Sequence, residues 1–129
     1  MATDESLLDI ELLDENVEIG LEGLIALIHE YFIQADELSA GLKKAVSAGS
    51  AGDVGHLAHK FAGSSAVCGL KALVDPLRDL EKKGDSKDLQ GAEDLLDRIS
   101  NLMESSRRLL AEYLAEKSNE SEENASSPF

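Results

Sequence analysis

Apolar residues recur at three- and four-residue steps through most of this chain, and no segment alternates with the two-residue period of a strand. That pattern restricts the chain to helices whose apolar stripes bury against one another. Between 17 and 48 the stripe runs through Leu21, Leu24, Ile25, Ile28, Phe32, Ile33, Leu38 and Leu42, then stops at Ser47-Ala48-Gly49-Ser50. Asp53 is placed to cap the next helix, whose buried face carries Val54, Leu57, Ala58, Phe61, Ser65 and Cys68, with Gly69 at its end. Leu73, Leu77 and Leu80 continue the pattern. Asp75-Pro76 either starts a fresh helix there or marks a kink in a longer one. Gly84-Asp85-Ser86 breaks the chain again, and 87–117 makes the last long helix, with Leu89, Ala92, Leu95, Leu96, Ile99, Leu102, Met103, Leu109, Leu110 and Leu114 as its stripe. Four helices with short connections bury these stripes most simply as an antiparallel four-helix bundle, and residues 4–14 add a short N-terminal helix over one end. The expected fold is therefore all-α, with a bundle over 5–117 and a disordered acidic tail over 118–129.

Charge narrows the function. With 26 acidic and 12 basic residues the formal net charge is −14, which repels nucleic acid and anionic membranes. The single cysteine, Cys68, excludes an internal disulfide. Neither an export-signal pattern nor a membrane-length apolar run is present, so a soluble cytoplasmic protein is expected, and it is expected to be monomeric because no stripe is left over for a dimer.

One helix carries candidate chemistry. His56, His59, Gly63 and Val67 share the face opposite the buried stripe. A mid-helix glycine costs about 1 kcal/mol relative to alanine, so Gly63, one turn beyond His59, needs a reason other than stability. Leaving out a side chain beside an exposed imidazole lets another protein approach the ring. A histidine that carries phosphate needs that access, a partner fixing the ring's tautomer, and a nearby cation or backbone donor. Ser64 is placed to support a charged group locally.

The run AHKFAGSSAVCGLKALVDPLRDLE resembles the signature of the histidine-containing phosphotransfer (HPt) domains of two-component phosphorelays. Their pattern is Ala-His, two residues, Lys-Gly-Ser-Ser or Lys-Gly-Ser-Ala, a later glycine, and a Leu-rich helix ending in Leu-Glu. Ala58-His59, Gly63-Ser64-Ser65, Gly69-Leu70, Leu73 and Leu80-Glu81 fall in register, and the resemblance spans about 5–115. It implies a four-helix bundle with the phosphoacceptor His59 on its second helix. The implied partners are the receiver domains of response regulators and hybrid histidine kinases, and the Mg²⁺ that transfer needs lies in the receiver. It further implies that Gln34 orients the imidazole. The family's lysine three residues after the histidine is Ala62 here, which leaves transfer rate and phosphohistidine lifetime open. Lys60, about 100° away around the helix, and Lys71 are the candidate replacements for its charge.

The partner face is expected to centre on His59 and Gly63 and to include His56, Lys60, Ser64 and Val67, with Lys71 contributing if the chain folds past that end. No Gly-rich phosphate cradle is visible, so no ATP-dependent kinase activity of its own is expected. The H-x-x-H pair of His56 and His59 lacks the further ligands of a metal site, and no cofactor is expected. Two other functions compete: a helical adaptor that docks on receiver or kinase domains without phosphotransfer, which Ala62 favours, and a metal-binding or oligomeric bundle.

Overall fold

The computed structural model describes residues 4–126, with side chains from Ser6 to Glu120. Among these residues all regular structure is helical: α1 (Asp4–Leu7), α2 (Ile10–Ser47), α3 (Ala51–Val67), α4 (Val74–Asp85) and α5 (Ala92–Ser126), with a 3₁₀ turn at Lys71–Leu73 before α4. Helix α2 packs on α3 and α5, and α4 packs on the same two, which closes a four-cornered bundle. At Gly20 the backbone of α2 leaves the helical region for one residue. Residues 21–47 therefore form the bundle helix, and residues 10–19 form, with α1, an N-terminal element that runs past the 4–14 expected from the sequence. That element lies across the end of the bundle where α3 stops. Asp9 N–H donates to Gly69 O at 2.8 Å, and Tyr113 of α5 donates to Asp14 Oδ1 at 2.6 Å. Leu7, Leu8 and Leu13 are buried there.

The core is mainly aliphatic. Phe61 is fully buried, with Leu42, Val54, Leu70, Leu73, Leu77, Leu80 and Leu110 also inaccessible. Removing a side chain of that size from water contributes about 1.5–3 kcal/mol. Two residues of the α2 stripe lie outside it: Ile25 and Ile33 are exposed, while Tyr31, Ala35 and Ala45 are buried. The buried line follows 24, 28, 31, 35, 38, 42 and 45, and Ile33 lies about 140° around the helix from Ile28.

Helix ends also differ in detail from expectation. Ser50, not Asp53, occupies the cap position of α3. Its hydroxyl donates to Asp53 Oδ2 at 2.8 Å, so the carboxylate serves the first turn from inside it. Gly69 ends that helix as predicted, with φ +82, a conformation that favours glycine. A fresh helix begins at Val74, with Pro76 in its first turn, where a missing N–H costs nothing. The last helix starts at Ala92 rather than 87, because Ser86–Gly91 forms a turn with positive φ at Lys87 and Gly91. The tail assigned to disorder from Ser118 instead continues α5 to Ser126. Extending a nucleated helix adds a hydrogen bond per residue, and Lys117 pairs with Glu120 at 3.5 Å across the expected boundary. Residues 127–129 lie outside the described residues.

Helices α3 and α4 meet through two glycines. A Cβ on Gly84 would lie 2.3 Å from Gly55 N and 2.7 Å from Ala51 O. Both obstacles are backbone, so a larger residue must push the helices apart. Gly84→Ala is expected to lower unfolding stability by about 1–3 kcal/mol in chemical denaturation. Wild-type stability in that variant would mean that the close crossing is not needed.

Candidate functional site

The short α3–α4 crossing sets what lies beside His59. Positions 55 and 62 of α3 are buried, while 56, 59 and 60 are exposed. His59 stands at the rim, its side chain 67% exposed. From α4, Glu81 Oε2 lies 2.7 Å from His59 Nδ1, and Glu81 Oε1 accepts from Arg78 Nη1 at 2.9 Å. Arg78 Nη1 is also 3.2 Å from His59 Nδ1. These three side chains form one cluster, with Arg78 and Glu81 one turn apart on α4.

The proton positions follow from the chemistry of the partners. Glu81 has its carboxyl below the usual carboxylate range, first because Arg78 donates to it, with desolvation opposing and the hydrogen bond from His59 adding a smaller lowering. An ionised carboxylate only accepts, so the short contact requires a proton on Nδ1. Nδ1–H therefore donates to Glu81, and Arg78 Nη1 is a close neighbour of the ring rather than a donor to it. In the neutral ring this leaves the lone pair on Nε2. The Arg78–Glu81 pair is partly solvated, with side chains 40% and 20% exposed, and such pairs contribute only about 0–1 kcal/mol. Its effect is on orientation and charge more than on stability.

On the other flank of His59, α3 and α2 border a shallow groove lined by Leu27, Glu30, Gln34, Gly63, Ser64 and Val67. A Cβ on Gly63 would meet nothing within 4 Å. Packing inside this chain therefore does not require glycine at 63, unlike 84. Val67 is 64% exposed and Leu27 42%, so the groove presents apolar surface to solvent. The two serines of Gly63-Ser64-Ser65 face different ways. Ser64 Oγ donates back to Phe61 O at 3.2 Å, whereas Ser65 is buried with its Oγ 2.7 Å from Tyr31 Oη. That bond ties α3 to α2 beneath the groove, and burial pushes the Tyr31 phenol far above its ordinary value.

The residues singled out in the sequence divide accordingly. His56, His59 and Lys60 are exposed on α3, and Gly63, Ser64 and Val67 continue that surface into the groove. Gln34 lines the groove from α2, but the partner of the ring nitrogen is Glu81, from the opposite neighbour. Lys60 is exposed, and the cation in contact with the ring is Arg78. Lys71 borders a separate depression with Ser6, Ala72 and Arg98. Ala62, where the HPt signature has a lysine, is fully buried.

Sequence reasoning missed Arg78 and the contact made by Glu81. The Leu80-Glu81 pair was in view, but 22 residues separate Glu81 from His59, and only the pairing of α3 with α4 joins them. Among the described residues, no group of three His, Cys, Asp or Glu side chains is placed to hold a metal ion, and no helix is long and apolar enough to cross a membrane.

The chain matches the Hpt domain family over residues 26–116. It is also similar to the crystal structure of histidine-containing phosphotransfer protein B (HptB) from Pseudomonas aeruginosa PAO1. The identity is 25% and the TM-score 0.80, over 84% of this chain and 95% of that one. No curated protein sequence matches it.

Two outcomes follow from this geometry. The folded Glu81 carboxyl titrates below its unfolded value, so the stability it contributes is complete above the ordinary glutamate range and is lost as pH falls through the depressed folded value. Carboxyl carbon NMR is expected to show that low titration, and Arg78→Gln to move it upward; an unchanged titration in that variant would remove Arg78 as its cause. Gly63→Ala is expected to raise unfolding stability by about 0.5–1 kcal/mol, since the site is open and helical. A loss would show that glycine at 63 is structural.

Proposed function

The chain belongs to the Hpt domain family, and from that premise we propose that it is a phosphorelay carrier in which His59 accepts a phosphoryl group from a receiver-domain aspartate and passes it to another receiver. The observation that carries this reading is the state of the His59 ring: exposed, with Nδ1 held by a carboxylate and Nε2 open.

In the proposed step the Nε2 lone pair attacks the phosphorus of the partner's aspartyl phosphate. The Nε2–P bond forms as the acyl O–P bond breaks, and the partner's carboxylate leaves with that electron pair. Positive charge develops on the ring, and the Nδ1–H bond to Glu81 stabilises it where it develops. Return of the phosphoryl group to a second receiver reverses these bonds. The Mg²⁺ for the step belongs to the partner. This chain contributes a nucleophile already in its tautomer and a surface that holds the two reactants in line, which is where much of the acceleration in phosphoryl transfer originates.

Gly63 and the groove beside it support close docking. The open space over Gly63 admits a partner side chain or loop next to His59, and Leu27 and Val67 offer apolar contact at the same place. His56 and Lys60 stand at the rim. The adaptor reading would require the same docking without the chemistry; a ring whose nucleophilic nitrogen is left open by a dedicated carboxylate favours the carrier. A monomeric protein of the cytoplasm, working with a hybrid kinase and response regulators, is the setting this reading assigns.

A phosphorylated receiver domain is expected to transfer acid-labile, alkali-stable label to the wild-type chain and none to His59→Gln. Gly63→Gln is expected to lose at least about tenfold in transfer rate while keeping its helical content. Equal labelling of His59→Gln would remove His59 as the acceptor, and undiminished transfer to Gly63→Gln would remove the close approach over the glycine.

A further inference from the structure

Position 62 is where the HPt signature places a lysine, and here it holds a fully buried alanine. The positive charge near the phosphate has not vanished with that lysine. It stands on the neighbouring helix, where Arg78 Nη1 lies 3.2 Å from His59 Nδ1. We infer that Arg78 is the residue that holds the phosphoryl group on His59, exchanging its ion pair with Glu81 for the phosphoryl oxygens once the group has arrived. This inference rests on the carrier reading above.

Three observations lead there. First, the place is right. The guanidinium already touches the reacting ring, and Nε2 is separated from Nδ1 only by the ring's Cε1. Second, the side chain is free to move. Arg78 is 40% exposed and its partner Glu81 is a surface carboxylate, so the pair that holds it is weak. A phosphoryl dianion offers the planar fork more charge and more acceptor oxygens than one carboxylate oxygen does. Third, nothing else in the cluster is suited. Lys60 is exposed and lies about 100° around α3 from His59, and Lys71 borders another depression. Before transfer, Glu81 keeps Arg78 parked beside the ring. After transfer, Glu81 still accepts from Nδ1–H, and Arg78 is released to the new negative charge. A cation on α4 lies on the side of His59 away from the α2–α3 groove, so it leaves the docking side of Gly63 open.

The test uses the full chain with Arg78→Gln and Arg78→Lys, and two phosphoryl donors. One donor is a phosphorylated receiver domain. The other is phosphoramidate, from which ammonia leaves as its P–N bond breaks and the Nε2–P bond forms. Measurements are made at pH 8, where Glu81 is ionised with or without Arg78, so its protonation does not enter, and recovery in Arg78→Lys with the Arg78 signal shift reads contact with the phosphoryl group. Arg78→Gln is expected to accept the group from the receiver about tenfold more slowly or worse, and Arg78→Lys to recover most of the rate. In wild type labelled by phosphoramidate, the guanidinium NMR signal of Arg78 is expected to shift, with no comparable change in Arg98. Wild-type acceptance rate and phosphohistidine lifetime in Arg78→Gln would overturn the inference and leave the carrier reading standing. A shift of Arg78 on chemical phosphorylation, in a chain that no receiver labels, would uphold the contact and remove the carrier reading. Failure of both donors to label His59 would overturn both.

Discussion

The close crossing of α3 and α4 at Gly55 and Gly84 is the constraint on which the site depends. With a side chain at Gly84 the helices must separate, and α4 moves away from the outer face of α3, whereas a Cβ on Gly55 would first displace the Asp85 carboxylate, 2.7 Å away. Buried Ala62 belongs to the same seam. Because these three residues are small, Arg78 and Glu81 stand near enough for their side chains to reach over the rim and meet His59. The His59 ring is thus positioned by packing at the seam and given its tautomer by one hydrogen bond from across it.

Helix α3 combines three tasks on three faces. One face, through Val54, Ala58, Phe61 and Ser65, fills the bundle core. The second lies against α4 and supplies the ring with a carboxylate and a cation. The third, with Gly63, Ser64 and Val67, borders α2 and remains uncovered. The two glycines most informative about function have opposite reasons. At Gly84 the chain itself leaves no room for a side chain, whereas at Gly63 the chain leaves the space vacant. Glycine there costs about 1 kcal/mol of helix stability, and no packing within the chain requires it.

The four bundle helices and the outward face of α3 were legible in the sequence because each is a consequence of period. The turns at Gly49 and Gly69 were legible because positive φ selects glycine. Other features were not. Ile25 and Ile33 look like core by composition and lie outside, since neighbouring helices decide which part of a broad stripe is covered. The continuation of α5 past 117 was hidden by a polar composition that a helix tolerates once nucleated. Within the site, His59 and Gly63 could be found from one helix alone. Glu81 and Arg78 could not, because their contacts with the ring exist only through helix pairing. Gln34 and Lys60 were assigned to the ring by position, and the structure gives the ring's contacts to α4 instead.

The most direct test of the account is to identify which ring nitrogen carries the phosphoryl group. Long-range nitrogen–proton NMR on the phosphorylated chain distinguishes the two. The hydrogen bond from Nδ1 to Glu81 predicts phosphorus on Nε2 of His59, with the Nδ1 proton still present. Phosphorus on Nδ1, or on His56, would contradict the claim that Glu81 sets the nucleophile.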